Sequence, residues 1–288
     1  RTLLQQEQPP QIEGEQEVVC QSCGGRTTFT GTLTATRCPY CATPIQRDDV
    51  HDAPARLPVD GVVPFMIDEE DGRERVEDSI NSRWFAPSEF KKYRRTGSFA
   101  SVYAAYFTYD AETVSDYRGQ RGDTYTVTVG HGDDRRTETR IRWSSRSGRV
   151  ANSFDDIAVL ANTGFDHKRV KDLEPWPTQT AKPFSPQYLA GHLARTYDHD
   201  AEACLPAARE EMDAAIEHTV RRDIGGDQQR ITSLDTRFLS LGFKHLLLPI
   251  WLLTVIYEGK PFQVFINGVT GEVKGDRPWS KVKIAAAV

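Results

Sequence analysis

The sequence predicts an α+β protein: an N-terminal four-cysteine ribbon, then an α+β body with antiparallel sheets and a few helices. Three observations predict it. Two Cys-x-x-Cys pairs, Cys20–Cys23 and Cys38–Cys41, stand fourteen residues apart near the N-terminus. Short β-rich runs with Gly-rich or charged punctuation fill the stretch from Ser101 to about Leu160. A segment of helical periodicity, Pro206 to Arg222, is followed by an almost continuous apolar run, Leu246 to Tyr257.

Each Cys-x-x-Cys pair suits a tight turn, so that both of its sulfurs point at one metal ion. Gly24 and Gly25 follow the first pair, where amides fold back toward thiolate sulfur and a positive φ is often needed. Between the pairs, Arg26 to Arg37 is rich in Thr and carries Phe29 and Leu33, which suits a short two-stranded β-ribbon. The alternatives are two disulfides or four unrelated thiols; with five cysteines in the chain, the paired spacing favours zinc. Cys20, Cys23, Cys38 and Cys41 would then close a tetrahedron around one structural Zn2+, leaving no open position for catalysis. A ribbon this small has almost no core, and metal binding of about 10–16 kcal/mol would supply its folding energy.

The chain then divides by composition. Residues 1–17, rich in Gln, Glu and Pro, read as a flexible leader, 18–47 as the ribbon, and 48–60, acidic with Pro54 and Pro58, as a linker. A first α+β region spans 61–171. Gly61 to Ile67 is a short apolar strand with Pro64 at an edge or bulge. Val76, Ile80 and Trp84 recur every four residues on one helical face. A second short helix starts at Pro87 and carries Phe90, Tyr93 and the basic cluster Lys91, Lys92, Arg94 and Arg95, read as a solvated face or a contact for phosphate or lipid. Four strands follow, over 102–113, 124–129, 137–143 and 149–159, with turns at 118–123, 130–136 and 144–148.

A second α+β region spans 172–288. Four prolines around Trp176 and Phe184 mark residues 172–186 as an ordered strap. In the helix 206–222, Leu205, Ala208, Met212, Ala215, Ile216 and Thr219 share a face, and Gly225-Gly226 ends it. Residues 229–242 alternate as a strand does. Leu246 to Tyr257, at twelve residues, is too short to cross a bilayer, which needs ~20, and reads as a buried strand. Asn267-Gly268 punctuates a last hairpin.

Charge and motifs narrow the function classes. The net charge is −5 and the pI about 5.9, so a nucleic-acid or lipid partner needs a local basic patch. There is no Gly-rich phosphate loop, no H-E-x-x-H and no nucleophile elbow, and no catalytic constellation is assigned. His192 and His199 have no third metal partner in the pattern; Asp155-Asp156 and Glu210-Glu211 read as solvated surface. Asp223 to Arg230 reads as a helix stop and polar turn, and the lone Cys204 as a small core residue. Reduced thiols beside a zinc site place the chain in the cytoplasm or on a cytoplasmic face. The chain opens on Arg1 rather than Met and is read as a piece of a longer protein. Lys281 and Lys283 before an apolar ending suggest a membrane helix beyond residue 288.

The ribbon, Gly61-Val-Val-Pro-Phe65, Phe107-Thr-Tyr-Asp-Ala111, Arg118-Gly-Gln-Arg-Gly122, Asp223-Ile-Gly-Gly-Asp227, Lys244-His-Leu-Leu-Leu-Pro249 and Asn267-Gly-Val-Thr-Gly-Glu-Val273 together resemble one bacterial family. It comprises transcription-factor-IIB-type zinc-ribbon proteins, often labelled as primosomal or phage replication proteins; the ATPase motifs such a helicase label requires are absent here. The resemblance covers residues 18–288. It implies a non-enzymatic adaptor that docks protein partners, of the flotillin-like (SPFH) or phage-shock type, at the cytoplasmic face of a membrane. Only the four cysteines carry over as functional positions. The rival reading is a nucleic-acid-binding module of replication or transcription. Against it, 18–47 holds only Arg26, Arg37 and Arg47 as basic residues, with Phe29 and Tyr40 as its aromatics.

Overall fold

The sequence pattern predicts four short strands between Ser101 and Leu160; the chain forms two long ones, β5 (Ser98–Val129) and β6 (Arg136–Leu160). Residues 118–123 and 144–148 are strand interior rather than turns. Their glycines serve close approach. A Cβ on Gly119 would lie 2.4 Å from the Arg230 carbonyl oxygen, and one on Gly148 2.8 Å from the Tyr117 hydroxyl. In this computed structural model the described residues are 15–20, 26–30, 50–52, 57–81, 98–130, 135–257 and 260–275. They form a mixed α+β protein with mostly antiparallel sheet and few helices.

The chain divides into two compact units. One holds the described residues of 109–157 and 205–243, the other those of 5–108, 158–204 and 244–288. The sequence pattern predicts consecutive regions instead. The units interleave because β5, β6 and the strand Gln228–Tyr257 each contribute residues to both.

In the unit built on 109–157 and 205–243, alternation does the sorting. Tyr109, Ala111, Thr113, Ser115 and Tyr117 are buried, while Glu112 between them and Arg118 after them are exposed. The bonds Glu112–Ser153, Thr113–Asn152 and Asp116–Arg149 run β5 and β6 antiparallel. A long helix covers the buried face. Its Ala208, Met212, Ile216, Val220 and Ile224 recur every four residues and are at most 1% exposed. Asn152 donates to the helix's Thr219 and Tyr117 to its Asp223, tying β5 and β6 to it.

That helix starts earlier than the sequence pattern predicts. Asp200 accepts the Ala203 N–H at 2.8 Å, so Pro206 lies inside the helix instead of opening it. Its end is the expected one: Gly225, at φ +67°, donates its N–H to the Arg221 carbonyl. Between β6 and this helix lie α2 (His167–Lys171), β7 (Lys182–Pro183) and β8 (Leu193–Ala194); before β5 come β4 (Gly61–Val62) and α1 (Glu69–Asn81). The long helix Ala201–Ile224 is therefore α3, followed by β9 (Gln228–Tyr257), β10 (Lys260–Asn267) and β11 (Val273–Gly275).

The other unit is organised on the apolar half of β9. Its sheet runs β11-β10-β9-β4-β7, with β9 antiparallel to β10 and parallel to β4, while β8 pairs with β5. Tyr106, Leu248, Ile250, Leu252 and Phe265 belong to its main cluster. The Pro-rich strap buries Trp176 edge-on to Tyr106, ring centroids 5.8 Å apart. Asn267 closes the last hairpin by accepting the Val269 and Thr270 N–H groups. The predicted helix from Pro87 and the lysines Lys281 and Lys283 lie outside the described residues.

Candidate functional site

The cysteine motif begins where β1 ends. Glu15–Val19 (β1), Arg26–Thr30 (β2) and Val50–Asp52 (β3) form a three-stranded sheet with β1 in the centre. Val18, Val19, Thr27, Thr28, Phe29, Thr30 and Val50 supply the β-branched and aromatic residues such strands favour. Strand structure thus reaches into 1–17, read as a leader, and into 48–60, read as a linker.

Register places the motif. Val19 pairs with Arg26, so residues 20–25, which hold Cys20 and Cys23, connect two paired strands. Val18 pairs with Val50, so β3 starts at that same end of the sheet. β2 runs toward the other end, and the chain bearing Cys38 and Cys41 rejoins the sheet at the Cys20 end. Cys20 is 4% exposed, belongs to the apolar cluster with Val63, Leu246 and Leu248, and forms no disulfide. Cys23, Cys38 and Cys41 lie outside the described residues.

Cys204 has a different environment. It is buried in the first turn of α3, and burial, with the Asp200 charge second, pushes its thiol up to about 12. Such a group stays protonated at neutral pH and serves as core.

Other polar groups converge in places the sequence pattern leaves unassigned. Carboxylate oxygens of Asp110, Asp155 and Asp156 lie within 4.8 Å of one another. Asp156 takes a positive φ of 55° and donates its N–H to Asp110. An open groove of about 530 Å³ is lined by Asp116, Tyr117, Arg118, Ser147, Gly148, Ser233 and Asp235. Asp116 is held below the usual carboxylate range by the hydrogen bonds from Arg149. Tyr117 donates to Asp223 at 2.5 Å, and burial first, this bond second, raises the phenol to about 12. Asp227 accepts the Thr124 N–H at 2.7 Å, which holds it low. The turn 223–230 is thereby tied to β5 at two points.

In the other unit Arg195 and Asp198 form a buried ion pair at 3.2 Å. Thr163 donates its N–H and hydroxyl to the same Asp198 oxygen, and the guanidinium lies 4.8 Å from the Phe165 ring. This pair shares its packed surroundings with Asn162, which accepts from Ala105 and donates to Thr196. Arg195 and Asp198 stand three residues apart, but Thr163 and Phe165 reach them from a separate segment, so no local sequence signal announces the whole group. His192 stacks on Phe65 with ring centroids 4.6 Å apart. Among the described residues no helix is long and apolar enough to cross a membrane.

The described residues define a class, a mixed α+β protein with mostly antiparallel sheet and few helices. No family model and no solved structure matches the chain. It is similar to "Uncharacterized protein YdjG" of Bacillus subtilis (strain 168), at 26% identity over 241 residues, covering 82% of this chain and 67% of that protein.

Proposed function

We propose that the protein is a non-enzymatic adaptor whose four cysteines, Cys20, Cys23, Cys38 and Cys41, hold one structural zinc. The observation that carries this reading is the register of β1, which sets Cys20 on a loop between paired strands and buries its sulfur. Zinc supplies folding energy there and no reaction step. The chain's own part is to present the ribbon, and the polar sheet surface, to protein partners. The resemblance to zinc-ribbon proteins supports partners of the flotillin-like or phage-shock type and a place at the cytoplasmic face of a membrane. An acidic chain with three basic ribbon residues gives nucleic acid little purchase.

The test is purification of the tagged protein from cells of its source after mild crosslinking, beside a Cys23→Ser/Cys38→Ser variant. The reading expects membrane-associated protein partners with the unaltered chain and their loss from the variant. Equal partner sets, or nucleic acid as the main species captured by both, would count against it.

A further inference from the structure

Strand β6 has a free edge. It pairs with β5, and among the described residues nothing pairs with its other side. Along that side alternate N–H and C=O groups face outward, the arrangement an added strand uses. The same stretch is basic: residues 135–149 hold six arginines, one glutamate and no lysine, in a chain of net charge −5. Arg136, Glu138, Arg140, Arg142 and Arg146 occupy alternate positions and share one face of the strand. Glu138 is bridged by Arg136 at 2.9 Å and Arg140 at 3.2 Å, and Arg149 is engaged by Asp116. Arg135, Arg142 and Arg146 are exposed and make no ion pair among the described residues.

We infer that the free edge of β6, from Arg136 to Gly148, binds an extended acidic peptide as an additional strand. Both observations select that partner. An edge offers backbone hydrogen bonds, which a peptide completes and a phosphate backbone leaves unused. The arginines select carboxylates at alternate positions, because opposite charges directly across a ladder attract and like charges repel. A second copy of β6 would bring arginine against arginine, so self-pairing is disfavoured by the same row. This surface is independent of the zinc reading, since β6 contains no cysteine.

The full chain is titrated, at physiological salt, into a fluorescein-labelled peptide of alternating Glu and Thr about a dozen residues long, the span of a long strand. Three further probes are used: the same peptide N-methylated at alternate amides, an alternating Lys–Thr peptide, and oligothymidylate of equal length. The expected result is saturable binding of the Glu–Thr peptide and none of Lys–Thr. N-methylation, which removes the ladder donors, weakens binding by at least about tenfold, and so does Arg142→Glu/Arg146→Glu. Equal binding of the N-methylated peptide would reduce the surface to a charge patch and overturn the proposal. Tighter binding of oligothymidylate, or no binding of Glu–Thr, overturns it as well. The N-methyl comparison needs no variant and decides the matter even if the double variant misfolds.

Discussion

At Tyr117 one hydroxyl fixes the end of α3 to β5, because its carboxylate partner Asp223 stands one residue before the helix ends. The phenol's pKa is raised in the folded chain, from 10.0 to about 12. Its contribution is therefore complete below pH 10 and is lost as pH rises through about 12. Tyr117→Phe should lower unfolding free energy by roughly 1.5–3 kcal/mol at neutral pH, as hydrogen bonds to charged groups do. The variant should also lose part of the alkaline destabilisation, which urea unfolding at two pH values on either side of 10 measures. Gly119 makes the second prediction at this scale. A Cβ there would lie 2.4 Å from backbone oxygen and 2.8 Å from Ile224, so Gly119→Ala should cost roughly 1–3 kcal/mol in the same assay. The sequence shows a glycine at 119 but not its reason. Turn and close approach look alike until Arg230, far along the chain, is placed beside it.

The elements were legible where their period was long. The apolar stripe of α3 is readable from Ala208, Met212 and Ile216, and all three are buried. Met212→Ala should cost about 2–5 kcal/mol, because the side chain is fully enclosed between helix and sheet. The N-terminal boundary was not readable, since Pro206 mimics a helix start while Asp200 makes the actual cap. Asp200→Ala should cost ~1 kcal/mol in thermal or urea unfolding. The strands are longer than the sequence pattern predicts for one physical reason. Arg118-Gly-Gln-Arg-Gly122 and Ser144 to Gly148 carry turn composition, yet their glycines admit Arg230, Trp143 and Tyr117 to an unbroken ladder. The acidic group of Asp110, Asp155 and Asp156 has a different obstacle: Asp110 meets the adjacent pair Asp155-Asp156 only when β5 and β6 pair.

For the whole molecule, composition and punctuation carry the α+β class, while the partition into two units does not follow from any local pattern. Three long strands shared between units, β5, β6 and β9, interleave segments that a reading along the chain treats as consecutive. The proposed zinc centre rests on cysteine spacing, and of the four cysteines Cys20, at the end of β1, lies among the described residues. Its position changes what metal loss should do. The sequence pattern suggests a ribbon isolated by its linker, but Cys20 belongs to the apolar cluster of Val63, Leu246 and Leu248. Unloading the site should therefore loosen that cluster as well as the ribbon. The most direct measurement is elemental analysis of the purified full chain, paired with thiol titration before and after a strong chelator. The account predicts one zinc per chain, four thiols masked until the metal is removed, and a lower Tm afterwards. A chain without zinc whose Cys20, Cys23, Cys38 and Cys41 all titrate at once, with Tm unmoved by chelator, would contradict it.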